Sequence, residues 1–289
     1  MSESSELLSN SEVVRRALAE DIGNGDVTTT ATVPAGRRCS GTILARQAGV
    51  VAGLPVASLT FRLLDPDVRF TPLVAEGQPV SANAALATLE GDARALLTAE
   101  RTALNFLGRL SGIATLAAAC TAAVAGTTAV VVDTRKTTPG LRALEKYAVR
   151  TGGARNHRFG LDDGVLIKDN HIKAAGGIAA AVQGARRVAS HLLRIEVECE
   201  TEAEVRQALE AGADAILLDN MSTGELRRCV ELIRARAPQL IIEASGNIGT
   251  DADRLRAVAR TGVDLISLGA LTHSAPNFDV ALEFADLAS

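Results

Sequence analysis

The chain has only four lysines, Lys136, Lys146, Lys168 and Lys173, and all lie between positions 136 and 173, while arginine supplies the positive charge elsewhere. The two residue types are interchangeable only where geometry is undemanding, because an ammonium is a compact charge and a guanidinium a planar fork. Confining the ammonium groups to one stretch points to a site that uses them, against a compositional bias toward arginine as the competing reading. Thr134 and Arg135 stand beside Lys136, and His157 and Arg158 follow a glycine-rich turn. Long cationic side chains gathered in this way suit a small substrate with several anionic groups.

Acids and small residues form two further sets. LRIEVE places Glu196 and Glu198 on one face of a strand, with Ile195 and Val197 on the other, by the two-residue period. A carboxylate turned into a barrel interior is costly unless paired, and the lysines are the expected partners. Glu198 and Asp219 end successive apolar runs and suit ribose hydroxyls or Mg²⁺, which takes few protein carboxylates alongside substrate phosphates. A purely structural Glu–Lys pair is the alternative. EASGN contributes Ser245, Gly246 and Asn247, and LGALTH contributes Gly269, Ala270 and His273. Small-residue turns of this kind present backbone N–H groups to phosphate.

These residues need elements that bring them together. The second half repeats a β-branched apolar run, polar residues at its end, and an Ala/Leu/Arg-rich helical stretch, which predicts a parallel sheet or barrel. Six strands are expected, at 129 to 134, 164 to 168, 193 to 198, 214 to 219, 240 to 245 and 264 to 269, and RNHRFGLDD is a candidate for another. In parallel barrels functional groups collect at the carboxyl ends of strands, where most of the residues above fall; His157 and Arg158 lie between the first and second strands. Helix capping is the favoured reading for Asp169 and Asn220 alone. The first half reads as an α+β domain ending in a long helical stretch, with the boundary near 112. Half of a lipoyl-type hairpin, EGQPV with ALATLEG, is excluded as a carrier because residues 1 to 135 contain no acceptor lysine.

Composition narrows the class. A formal charge of −4, one tyrosine and no tryptophan argue against a general nucleic-acid binder. The polar opening MSESSELLSNSE is unlike a signal peptide, and the longest apolar runs fall short of the roughly 20 residues of a membrane span. Cys39, Cys120, Cys199 and Cys229 are scattered, with neither zinc-ligand spacing nor a disulfide framework, which fits a reducing cytoplasm.

The strings LAEDIGNGDVTT, TAERTALNFLGRLSGIAT, DTRKTTPGLRALEKYAVRTGGARNHRFGLDD, LIKDNH, EVE, ILLDN, EASGNI and LGALTHS, in this order, resemble quinolinate phosphoribosyltransferases. Asn247 stands where a second glycine is common in that family. The resemblance implies an α/β fold, an incomplete parallel α/β barrel at 113–274 with an N-terminal α+β sandwich domain at 1–112 joined by the segment 275–289. It implies a reaction of quinolinate with phosphoribosyl pyrophosphate, using Mg²⁺, and a homodimer whose sites are shared between subunits. Arg135, His157 and Arg158 would hold the quinolinate carboxylates, with Arg101 reaching in from the partner. Lys136 and Lys168 would act between quinolinate and pyrophosphate, Glu198 and Asp219 would hold ribose and metal, and Ser245, Gly246, Asn247, Gly269 and Ala270 would hold the 5′-phosphate. Another pyridine or azole phosphoribosyltransferase, or a lyase forming a Schiff base at Lys168, are the rival enzymes; a non-catalytic sensor of phosphoribosyl pyrophosphate is the binding-protein alternative.

Overall fold

The computed structural model describes residues 3–285. In chain order its elements are α1 (Glu3–Ile22), α2 (Val27–Thr32), β1 (Arg38–Ala45), β2 (Gly49–Val50), α3 (Leu54–Leu64), β3 (Arg69–Pro72), β4 (Pro79–Val80), β5 (Ala85–Asp92) and α4 (Ala93–Ala123). There follow β6 (Val130–Val132), α5 (Arg142–Thr151), β7 (Val165–Ile167), α6 (Asp169–Ala175), α7 (Ile178–Val188), β8 (Ile195–Cys199), α8 (Glu202–Glu210), β9 (Ala215–Asp219), α9 (Thr223–Arg236), β10 (Ile241–Ser245), α10 (Ala252–Ala259), β11 (Leu265–Ser267), α11 (Ala270–His273) and β12 (Val280–Phe284).

The chain divides into two compact units. The first comprises residues up to Ala118, Thr138–Gly153, and the chain from Ser274 onward. It holds an antiparallel sheet of order β12-β1-β5-β3, with a register shift between Ile43 and Leu44. Strand β1 alternates exposed and buried residues, as a half-buried antiparallel strand does. Its inward residues join Phe61, Leu86, Leu89, Leu96 and Leu107 in one core. Helix α1 buries Val14 and Leu18, one turn apart.

Helix α4 is 31 residues long and apolar enough, by length and composition, to cross a membrane. Within the first unit Leu96, Ala99, Ala103 and Leu107 of this helix lie in the core, the position of a core helix. It passes position 112 without a break. Ser111 is buried and exchanges hydrogen bonds with Ala52, and a Cβ on Gly112 would stand 2.0 Å from the Pro276 carbonyl. By compactness the first unit runs on to Ala118, and Thr138–Gly153 belongs with it. There, Glu145 is fully buried and is satisfied by Arg109 at 2.8 Å and by the Thr138 N–H and hydroxyl at 3.0 and 2.7 Å.

The second unit, Ala119–Thr137 with Ala154–His273, is the parallel α/β part. Its sheet order is β6-β11-β10-β9-β8-β7, every pair parallel. The six strands stand where their sequence places them. Strands β6 and β7 end the order without pairing to one another, so the barrel is incomplete. RNHRFGLDD forms no strand; its ladder contact is one parallel bridge between Val132 and Arg155. The four cysteines are buried and free, and burial pushes the Cys120 thiol up to about 11.

Candidate active site

The carboxyl ends of the strands surround a pocket of about 310 Å³ within the second unit. In-register pairing sets them level: Ser245 is opposite Asp219, and Ser267 opposite Val132. Thr134, Arg135 and Lys136 line it after β6, His157 and Arg158 from the segment before β7, Lys168 after β7, Glu198 on β8, Asp219 on β9, and Ser245, Gly246 and Asn247 after β10. Eleven of the residues expected from sequence are thus brought together. Glu243 and Asn220 join them.

The remaining four lie elsewhere. Gly269, Ala270 and His273 are outside the pocket lining, though a Cβ on Gly269 would stand 2.9 Å from Lys136 Cδ and 3.0 Å from His273 Nε2. Glycine at this position makes room for both side chains. Arg101 is an exposed residue of α4, in the first unit.

Each cation is placed by its own segment. Asp133, fully buried at the end of β6, accepts hydrogen bonds from the His157 N–H at 2.8 Å and Asn156 Nδ2 at 2.6 Å, and so pins the RNHR segment to the sheet. Arg158 Nη1 donates to the Gly164 carbonyl at 2.8 Å, and burial, followed by the charge of Arg135, lowers its pKa. The Lys136 N–H donates to Thr134 Oγ1 at 3.0 Å, while its carbonyl accepts from the Thr272 hydroxyl at 2.7 Å. Lys168 occupies the N-cap position of α6, and its ammonium pairs with the Glu198 carboxylate.

Two expectations are corrected here. Asp169 and Asn220 do not cap helices: Asp169 is the first residue inside α6, bonded to Lys173 at 2.9 Å, and α9 is capped by Ser222. Glu196 does not pair with a lysine. Its carboxylate lies 3.4 Å from His157 Nε2, which is also 3.3 Å from Glu243. Strand β8 directs Glu196 below Glu198, one pleat further from the lysines at the strand ends.

The group His157, Glu196 and Glu243 brings one nitrogen and two carboxylates within 4.8 Å of each other, the composition of a metal site. The hydrogen bonds favour a proton instead. His157 Nδ1 accepts from the Arg158 N–H at 2.7 Å, so Nε2 carries the ring proton toward the two acids. Burial draws the ring toward neutrality, but the hydrogen bonds and charges of Glu196 and Glu243 outweigh it and push His157 up to about 10. Burial, together with the charge of Glu243, likewise raises Glu196. A ring protonated at both nitrogens would have to release the Arg158 N–H.

An open parallel barrel that presents guanidinium and ammonium groups, paired carboxylates and a glycine turn at one mouth is an α/β-barrel enzyme built for multiply anionic, phosphorylated substrates. Residues 26–111 match the N-terminal domain model of quinolinate phosphoribosyl transferase, and residues 113–283 match the C-terminal domain model. The chain belongs to the quinolinate phosphoribosyltransferase family. It is 48% identical over 266 residues to a probable nicotinate-nucleotide pyrophosphorylase (carboxylating) of Synechocystis sp., covering 92% of this chain and 89% of the relative. It is 43% identical over 279 residues to the nicotinate-nucleotide pyrophosphorylase (carboxylating) of Mycobacterium leprae, covering 94% and 96%. The solved nicotinate-nucleotide pyrophosphorylase from Francisella tularensis superposes with a TM-score of 0.89 at 39% identity, over 96% of each chain.

Proposed function

We propose that the chain transfers the phosphoribosyl group of phosphoribosyl pyrophosphate to the ring nitrogen of quinolinate and releases pyrophosphate and CO₂, giving nicotinate mononucleotide for NAD synthesis. The observation that carries this reading is the gathering in one pocket of Arg135, His157, Arg158, Lys136 and Lys168 with the carboxylates Glu198 and Asp219 and the Ser245–Asn247 turn. A pyridine dicarboxylate, a pyrophosphate and a ribose 5′-phosphate require cations for the anionic groups, acceptors for the ribose hydroxyls and a small-residue turn for the phosphate.

The bond from the ring nitrogen to the anomeric carbon forms as the bond to pyrophosphate breaks. Positive charge develops on the ribose, which carboxylates stabilise, and negative charge on the leaving group, which the lysines stabilise. Loss of CO₂ then leaves an electron pair on the ring carbon beside the new pyridinium nitrogen, and a proton closes the reaction. Glu198 and Asp219 supply two carboxylates from adjacent strands, a donor set that suits Mg²⁺ completed by substrate phosphates and water rather than an all-protein cage. A bound Mg²⁺ would neutralise pyrophosphate charge. The lyase alternative is not favoured, because both domain models that the chain matches are those of quinolinate phosphoribosyl transferase.

The same reading makes the enzyme a cytoplasmic homodimer in which Arg101 serves the partner's pocket. Release of CO₂ and pyrophosphate from quinolinate plus phosphoribosyl pyrophosphate, with and without Mg²⁺, tests the reaction. Turnover of nicotinate in place of quinolinate would overturn it.

A further inference from the structure

The side chain of Asn220 reaches two parts of the pocket at once. Its Nδ2 donates to Asp219 Oδ2 at 2.5 Å, and its Oδ1 accepts from the Asn247 backbone N–H at 3.1 Å. Its own backbone N–H donates to the Ser245 carbonyl at 3.2 Å. The residue sits at φ 55, in the left-handed region that asparagine tolerates better than other side chains do. The turn after β10 is moulded onto it. Gly246 has φ 100, and a Cβ there would stand 2.5 Å from Asn220 Oδ1 and 2.6 Å from Asn220 N.

None of this is needed for the helix that follows, since Ser222 and Glu225 form its capping box. Fold stability is a weak motive as well. Asn220 is exposed, and a hydrogen bond that water can replace contributes little. What the amide does is join the end of β9 to the turn after β10, restraining a carboxylate and a small-residue turn that would otherwise move independently. Restraint of that kind matters when one ligand must touch both groups, because the ordering is then complete before binding.

We infer that Asn220 is a positioning residue for the phosphoribosyl donor, fixing the spacing between Asp219 and the Ser245–Asn247 turn. The inference rests on the reading of this pocket as a phosphoribosyl pyrophosphate site, with ribose at Asp219 and the 5′-phosphate at the turn. The substituent that would lie at each end is different, but one side chain sets the distance between them.

Two variants separate this role from a structural one. Asn220→Gly keeps the left-handed backbone and loses the amide; Asn220→Asp keeps the shape but turns an acceptor toward Asp219. Both should raise the KM for phosphoribosyl pyrophosphate roughly tenfold or more, the scale of losses from small misplacements in a site. The calorimetric affinity for quinolinate and the thermal midpoint should stay at wild-type values, and Asn220→Asp should be the worse of the two. An unchanged KM in Asn220→Gly overturns the inference, and so does a parallel loss of quinolinate affinity and thermal midpoint. Inorganic phosphate binding, measured by calorimetry on the same proteins, keeps the two readings apart. Were wild-type turnover of quinolinate absent, the proposed reaction would fail, while weaker phosphate binding in both variants would still support Asn220 and unchanged binding would refute it.

Discussion

Lys168 and Glu198 form an ion pair between the carboxyl ends of the adjacent parallel strands β7 and β8. The lysine side chain is 47% exposed and the glutamate 11%, so the ammonium can leave its partner for an arriving anion while the carboxylate stays in place. A substrate pyrophosphate that takes Lys168 would free Glu198 for ribose hydroxyls or metal. Lys168→Arg should therefore not restore function: a planar, bulkier guanidinium held by Glu198 does not repeat that exchange. We expect kcat to fall by about ten- to a hundredfold, the equivalent of roughly 1.5–3 kcal/mol for a lost charge-assisted contact. Steady-state kinetics at saturating substrates check this, and near wild-type kcat would show that any cation suffices.

Arg135 and Arg158 line the same pocket, and burial, followed by the charge of Arg135, lowers the Arg158 pKa. Two neighbouring guanidinium groups repel unless an anion lies between them. Arg135→Ala and Arg158→Ala should each weaken quinolinate binding by about 1.5–3 kcal/mol and leave phosphoribosyl pyrophosphate binding nearly unaltered. Isothermal calorimetry with each ligand separates the two, and unchanged quinolinate affinity in both variants would remove these arginines from the site.

The His157–Glu196–Glu243 cluster predicts a pH dependence of stability. His157 has an ordinary value of 6.5 and is raised to about 10 in the folded chain by its two carboxylate neighbours. Between these values the folded state holds a proton that the unfolded state has lost. The contribution is thus fully present below 6.5 and declines as pH rises through about 10. Its slope is at most about 1.4 kcal/mol per pH unit. Asp133, Arg135 and Arg158 share this environment and add their own fields, so the comparison must be between wild type and Glu243→Gln. Urea unfolding across this window should show the variant with the flatter profile, whereas parallel profiles would mean the cluster holds no extra proton.

The parallel half of the fold was legible in sequence because each β-branched run ends in polar residues, a pattern that marks both the strand and the mouth it opens on. Glu243 was not. It sits inside IIEAS, flanked by buried Ile242 and Ala244, and nothing local distinguishes an interior carboxylate from a strand-end one. The two-residue period counted back from Ser245 places it on the pocket face, which is the signal that was available. Partners across the barrel are harder still: Glu196 meets His157 and not a lysine because of which strands are neighbours, and strand order is not written in any one strand. Asn220 looked like a cap because asparagine after a strand usually is one, and only the left-handed φ and the Ser245–Asn247 turn reveal the other use. Helix α1 buries Val14 and Leu18, one turn apart, in a stretch that reads in sequence chiefly as polar and acidic.

Arg101 tests whether pockets are shared between subunits. It is exposed on α4 and does not line the pocket described above, so within this chain it has the character of an ordinary surface arginine. The family resemblance assigns the TAERT arginine to the partner's site, and a twofold dimer would then contain two composite sites. Arg101→Ala and Lys136→Ala should each be inactive alone under that arrangement. When the two proteins exchange subunits, a mixed dimer has one site with both defects and one with neither. Random equal mixing makes about half the dimers mixed, so activity should return to roughly a quarter of the wild-type value. Native mass spectrometry of the mixture confirms that exchange has occurred. Recovery near a quarter establishes a shared site; exchange without recovery shows that Arg101 acts within its own chain or takes no part in the reaction.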